Sequence, residues 1–493
     1  MTSFDDDSSL SSKGFQDLKK KSIAGMAALF VRQILVKVIF FIGNIILARI
    51  LAPEIFGIYA IVNFVVTFFS TFGDVGIGAA LIQKKGELSK EELSTTFWLQ
   101  QMLVWSVVAI AIAAAPLALK VYPTLPPVGV WLIRAMALSF LLSSLKTIPA
   151  ILMERSIDFK RIAWVDITEN LAFQAVAISC AIMGLGAWSF VLAAIARALL
   201  GAVIIFALSP WRPSFHYRFE SVKGLVTFGL PYQGNQVLCF LKDAVTPLFV
   251  GAYAGAAAVG YVNWARNLAF APLLLSETFG RVAFPAFSRI QDDRELLART
   301  IERSVRMMTI VMFPVTAIMA AAGPEITHLI FTNKWLPGIW AFYFYCTSPF
   351  LIGIMLPLYC AILSLGKSNV LLKMSGSLLI LEWGIGIPCV IKFGFVGIAF
   401  SQPIVTGIFF QVYLGILRKE SVEVCILRNI WSQLIAALSA AICIRLWLSK
   451  IDSTMISLAS VTLAGVTFYI IFLFILNGKI LVEFKEYINK IKG

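Results

Sequence analysis

Apolar residues along this chain come in long unbroken runs, not in the alternation of half-buried strands or the one-sided stripes of surface helices. A helix needs about 20 predominantly apolar residues to cross a bilayer's hydrocarbon. Fourteen runs meet that length, roughly at 24–50, 55–81, 95–118, 128–148, 164–184, 187–209, 225–250, 256–280, 304–323, 338–364, 374–392, 396–417, 429–449 and 455–477. The least regular are 128–148, which carries Arg134 and Lys146, and 225–250, which is unusually polar. The pattern predicts an all-α integral membrane protein of about 14 transmembrane helices, joined by short loops, with no external or cytoplasmic domain.

Composition agrees. Of 493 residues, 59% are hydrophobic and 14% are charged, against about 25% charged in soluble domains. The net charge of +14 would suggest nucleic acid in a soluble protein, but here the basic residues cluster between apolar runs, as orientation signals do. With the N-terminus inside, the inner segments carry 26 Lys and Arg and the outer segments only Lys120, Lys334, Lys392 and Lys450. That bias predicts an even helix count, both ends in the cytoplasm, and no nucleic-acid partner. The polar stretch at 1–22 lacks the short apolar core of a secretory signal. It reads as a cytoplasmic tail whose Lys19, Lys20 and Lys21 hold the first helix inward. Seven cysteines without a CxxC pair read as packing residues, and His216 and His328 lie on opposite sides of the predicted topology. No metal or cofactor is expected. Trp98, Trp131, Trp188, Trp211, Trp335 and Trp431 fall near span ends and read as an interfacial belt.

An internal repeat organises the spans. At an offset of 203, Phe56-Gly57 falls on Val259-Gly260 and Asp74 on Glu277; at 210, MGLGAWSF (183–190) parallels FGFVGIAF (393–400). Six helices separate the equivalents, so the two halves share one orientation, a parallel repeat about an axis along the membrane normal. The expected division is a tail (1–22), an N-lobe of six helices (23–209), a cytoplasmic linker (210–224), a C-lobe of six helices (225–417), two extra helices (418–477) and a cytoplasmic tail (478–493).

Ionisable residues inside spans are costly and face a partner or a wet cavity. On the first predicted helix Gln33, Lys37 and Asn44 fall within about 40° of one another, bordered by Arg32. The seventh carries Asn235, Gln236, Lys242 and Asp243, with Pro231 and Pro247 as candidate breaks, and the eighth carries Asn263 and Arg266. Arg197 sits within the sixth span and Glu382 within the eleventh. Cations therefore outnumber acids at depth. The candidate anion-binding set is Arg32, Lys37, Arg197, Lys242 and Arg266, since Arg forks bind phosphate bidentately and Lys acts as a point charge. Gln33, Asn44, Asn235, Gln236 and Asn263 are the polar candidates. Asp74, Asp243, Glu277 and Glu382 are candidates for ion coupling, beside structural roles in pairing and capping. Pairing of Arg266 with Asp243 is the competing structural account of these charges.

Enzyme signatures are missing. Gly366-Lys367-Ser368 ends like a phosphate-binding loop, but Ala361 stands where that loop needs glycine, and no GxSxG or HExxH occurs.

The stretch from Asn44 to Gln100 resembles the polysaccharide-transporter (Wzx-type flippase) branch of the multidrug/oligosaccharidyl-lipid/polysaccharide (MOP) superfamily. Leu47-Ala48-Arg49, Leu51, Pro53, Phe56-Gly57 and Tyr59 are followed by Asp74, Gly76, Ala80-Leu81-Ile82-Gln83 and Thr96-Phe97-Trp98-Leu99. Ala52 replaces an expected Ser and Gln100 an expected Asn. The resemblance implies a MATE-like fold of two pseudo-symmetric six-helix lobes with a cationic central cavity. It also implies translocation of an undecaprenyl-pyrophosphate-linked oligosaccharide across a bacterial inner membrane, for exopolysaccharide, capsule or O-antigen. Expected partners are the lipid-linked oligosaccharide, membrane lipids, and the polymerase and glycosyltransferases of the pathway. Two alternatives stay open: an exporter of a drug or other small solute in the same superfamily, and a membrane glycosyltransferase or polysaccharide polymerase.

Overall fold

A computed structural model describes residues 32, 33, 35–73, 76–84, 88–156, 158–215, 218, 233, 234, 236–452 and 454–492. Among these the chain is helical, without a strand. Eleven helices are long and apolar enough to cross a membrane, and a bent pair, Gln236–Asp243 with Val245–Ala254, makes a twelfth. The chain divides into two compact units, Met1–Leu241 and Lys242–Gly493.

Unit 1 contains α1 (35–50), α2 (Pro53–Ser70), α3 (Ile77–Gln83), α4 (Lys90–Ala114), α5 (Val128–Ser144), α6 (Thr147–Arg155), α7 (Phe159–Ile182) and α8 (Trp188–Leu208). Local chemistry sets several ends. Pro53 begins α2, where its missing N–H has no helical role. Ser89 and Glu92 form a reciprocal capping box at the start of α4, and Asp158 caps α7 by accepting from the Arg161 N–H. At the end of α3, Arg155 donates to the carbonyls of Leu81 and Lys84; a helix end leaves such carbonyls without an intrahelical donor. Leu47 of α1, Leu51 just beyond it, Phe173, Ala177 and Ala181 of α7, and Phe190 and Ala193 of α8 share one core cluster.

Beyond α8 the chain lies across the start of α4. The Trp98 indole donates to the Ser214 carbonyl at 2.9 Å, the Ser94 and Ser214 hydroxyls meet at 2.6 Å, and the Arg218 N–H donates to Thr95 Oγ1. The aromatic and hydroxyl residues of this helix start thus hold a connecting segment. Trp98 serves that contact as well as any interface.

Unit 2 contains the end of α9 (Gln236–Asp243), then α10 (Val245–Ala254), α11 (Ala256–Ala269), α12 (Glu277–Arg289), α13 (Arg294–Ala321), α14 (Ile339–Ser364), α15 (Ser368–Phe393), α16 (Val396–Lys419), α17 (Ile426–Leu448) and α18 (Met455–Lys492). The run at 256–280 is a helix to Ala269, a tight turn through Ala271–Leu275 and a second helix from Glu277. Pro272 lies in that turn, where it cannot extend an α-helical ladder. The run at 55–81 is similarly divided between α2 and α3, around Gly76 with φ of 71°. At the turn that the repeat aligns, Gly184 precedes α8 and Gly394 precedes α16, both with positive φ, 77° and 63°. A side chain is strained in that region.

Large apolar side chains such as Trp105, Ile182, Val203, Ile380 and Leu463 are exposed along the spans, as lipid-facing surfaces require. Trp335 departs from its expected interfacial role. It is fully buried, with its ring centroid 5.6 Å from Trp264 and 6.3 Å from Tyr261. Trp335→Ala is expected to cost about 3–5 kcal/mol and to lower the thermal unfolding temperature of the detergent-solubilised protein. Trp131→Ala, at a side chain 60% exposed, is expected to leave it nearly unchanged; equal melting of the two would contradict this packing.

Candidate functional site

Unit 1 gathers five charges around α7. Arg32 Nη1 donates to Asp166 Oδ2 at 2.8 Å. One turn further along α7, Glu169 accepts from Lys146 Nζ at 2.5 Å on Oε1 and faces Arg197 Nε at 3.5 Å on Oε2. Glu169 is the eleventh residue of a 24-residue helix, and its side chain is 1% exposed. Arg197, tenth of 21 in α8, is 45% exposed. The carboxylate reaches this position because Gly201 follows Arg197 by one turn: a Cβ at Gly201 would overlap Glu169 Oε1. The same device recurs at Gly43 of α1, against which the Gln174 amide lies. Both amide atoms of Gln174 are buried, with no hydrogen-bond partner among the described residues.

Unit 2 places its charges at a helix break. The bent pair turns by 42°, and Val245–Val250 is wound as a π-helix. Pro247 has no N–H for the Asp243 carbonyl four residues back, and the ladder resumes with the Leu248 N–H donating to Ala244. Beside the break, Asp243 Oδ1 lies 3.6 Å from Lys242 Nζ and 3.5 Å from Arg266 Nη2. With Thr246, Tyr345, Glu382 and Gln402 these residues line a recess of about 20 Å³, room for about one water. Glu382 and Gln402 share this lining. Two acids and two cations line this recess.

Of the expected residues, Lys242, Asp243, Arg266 and Glu382 are thus brought together, Arg32 pairs with Asp166, and Arg197 joins Glu169. Lys37 and Gln33 are half-buried on the first helix. Asn44 turns its amide back to the Phe40 carbonyl at 2.9 Å. Gln236 is exposed and Asn263 half-buried. Asp74 and Asn235 lie outside the described residues, and Glu277 begins α12 with its side chain outside the described set. Four participants escaped the sequence reading: Asp166, Glu169, Lys146 as a partner, and Gln402. The missed signal was two acids three residues apart in an apolar run. Counting them cuts the surplus of cations at depth but does not erase it in unit 1, where three cations meet two acids.

Residues 46–339 match the family described as polysaccharide biosynthesis protein. The chain belongs to that family. Asp166, Glu169, Arg197, Lys242 and Arg266 of this family member fall inside the matched stretch; Arg32, Tyr345, Glu382 and Gln402 fall outside it. The chain is 26% identical over 327 residues to the lipopolysaccharide biosynthesis protein WzxC of Escherichia coli, covering 64% of this chain and 65% of that one. It is 27% identical over 294 residues to the succinoglycan biosynthesis transport protein ExoT of Rhizobium meliloti, covering 59% and 58%. The match therefore spans less than two thirds of each relative's length. Among solved structures, the lipid II flippase MurJ in an inward closed conformation superposes with a TM-score of 0.74 at 14% identity, covering 93% of this chain and 100% of that one. An inward-facing multidrug resistance MATE family transporter of the MOP superfamily gives 0.60 at 13% identity, covering 80% and 99%. These likenesses show that this chain has the all-helical fold of those two structures.

Removing one partner of a buried ion pair costs about 3–5 kcal/mol, whereas removing both is often nearly neutral. Lys146→Met is therefore expected to lower thermal stability markedly, and Lys146→Met/Glu169→Gln to recover most of the loss. A double-mutant cycle on thermal unfolding in detergent checks this; additive losses would refute the pairing.

Proposed function

We propose that this protein is a flippase that carries an undecaprenyl-pyrophosphate-linked oligosaccharide from the inner to the outer face of a bacterial inner membrane, for exopolysaccharide, capsule or O-antigen assembly. The observation that carries the reading is the set of arginines and lysines held against acids on the helices of a member of the polysaccharide biosynthesis family, with Arg197 midway along α8 and Lys242 beside the bend of a broken span. A pyrophosphate cannot enter hydrocarbon with its charge uncompensated. Arg32, Lys37, Arg197, Lys242 and Arg266 would replace its water, and Gln33, Asn44, Asn235, Gln236 and Asn263 would hydrogen-bond sugar hydroxyls. The names of the bacterial relatives, which concern lipopolysaccharide biosynthesis and succinoglycan transport, support the substrate class.

The mechanism in this reading is alternating access between an N-lobe at 23–209 and a C-lobe at 225–417, with 418–477 as two added helices and both ends in the cytoplasm. The charge bias of 26 inner to 4 outer Lys and Arg supports that orientation. The recess beside Asp243 has room for about one water, so a pyrophosphate reaching Arg266 there would have to draw it away from Asp243. Asp74, Asp243, Glu277 and Glu382 are the candidates for ion coupling. The polymerase and glycosyltransferases of the same pathway are the proposed partners.

A charge-assisted hydrogen bond contributes about 1.5–3 kcal/mol, or roughly 10–100-fold in rate. Lys37→Ala and Arg266→Ala are each expected to cut transfer of a labelled lipid-linked oligosaccharide across proteoliposomes by that order, with normal membrane insertion. Wild-type transfer by both variants would overturn the cavity assignment. Growth of the sugar chain during the assay would indicate a polymerase, and efflux of a small cationic solute without lipid transfer would indicate an exporter.

A further inference from the structure

Among the described residues, Glu169 is the one Asp, Glu, Lys or Arg side chain that is fully buried. A carboxylate removed from water at mid-span needs one cation to balance it. It has two, and they are held differently. Lys146 Nζ is close, at 2.5 Å. Arg197 is further, at 3.5 Å, and nearly half exposed. The contact given for it is at Nε, and a guanidinium this exposed can turn its fork to a phosphate. The glycine that admits the carboxylate stands inside a helix, where it is less favourable than alanine. The arrangement is therefore a built one: a fixed acid, one tight counter-charge, and one loosely held arginine carrying the surplus.

We propose that Glu169 is a positioning residue that competes with the substrate phosphate for Arg197. It holds the guanidinium in place when no substrate is bound and yields it when phosphate arrives, while Lys146 keeps the carboxylate compensated. When the phosphate must leave, Glu169 takes the arginine back. Glu169 thereby weakens binding and speeds release. This inference rests on the flippase reading, because it needs a phosphate-bearing substrate that enters and departs.

The competition predicts a split between affinity and turnover. The variant Lys146→Met/Glu169→Gln removes one charge of each sign and leaves Arg197 unopposed. In proteoliposomes supplied with a fluorescent polyprenyl-pyrophosphate-linked sugar, it is expected to lower KM by about threefold or more and to lower turnover by about tenfold. Adding Arg197→Gln is expected to erase the gain in KM. Glu169→Asp, which keeps the charge, is expected to restore part of the turnover. A merely structural Glu169 would reduce the active fraction and leave KM where it was. An unchanged or raised KM, or a gain that persists without Arg197, overturns the proposal. Binding of inorganic pyrophosphate to the same purified full-length variants separates the two readings. If the wild type moves no lipid-linked probe and yet the double variant binds pyrophosphate more tightly through Arg197, the flippase reading fails and the competition stands.

Discussion

Hydrocarbon cannot solvate a charge or an unpaired peptide group, and the architecture of this chain follows from that constraint. Long apolar helices satisfy their own backbone, which is why described spans such as Lys90–Val121 and Asn333–Ser364 run with few internal charges. Where a charge does enter a span, a partner comes with it. Asp166 has Arg32, Glu169 has Lys146 and Arg197, and Asp243 has Lys242 and Arg266. Each acid is compensated by a cation from another helix, or by a neighbour at a helix break. The ion pairs therefore link helices as well as balance charge.

The two units meet this constraint in different ways. In unit 1 the helices α7 and α8 stay regular where Glu169 and Arg197 meet, and glycine makes the room: Gly201 accepts the Glu169 carboxylate and Gly43 the Gln174 amide. In unit 2 the backbone itself yields. Pro247 withdraws a donor, the helix turns by 42° and a π-helical stretch follows. The charges and polar side chains gather where that carbonyl is released. Irregular backbone at membrane depth is tolerated only where protein or water can reach it, and the small polar recess beside Asp243 supplies that setting.

Much of the fold was legible because hydropathy reports the solvent directly. The runs at 95–118, 187–209, 396–417 and 429–449 differ from their helices by a few residues at each end. The acids of α7 were not legible for a definite reason. Apolar content begins at about 164, which puts Asp166 and Glu169 in the first turns of the predicted span. The helix itself begins at Phe159, set by the Asp158 cap, and that shift brings Glu169 to mid-helix. Trp335 misled in the opposite sense, since proximity to a span end says nothing of which way a ring turns. The motif around Thr96-Phe97-Trp98 was readable as a pattern and silent as to purpose. Its partner, Ser214, lies 116 residues from Trp98, and only the fold brings the two together.

Pairing of the mid-span cations bears on how a carrier of charged lipids would work. A preformed pocket of unopposed cations would bind pyrophosphate tightly and release it slowly, because an interaction made equally in the bound state and at the barrier to release does not speed turnover. Cations already held by acids bind by exchange: each new contact to phosphate is made at the expense of one to a carboxylate, so net affinity is the difference of two similar terms. Arg197, 3.5 Å from Glu169 and half exposed, and Arg266, 3.5 Å from an exposed Asp243, are the cations for which that exchange is easiest. On the flippase reading, the acids are then as necessary to transport as the cations. In that reading the cations would allow the head group to enter the membrane, and the carboxylates would allow it to leave.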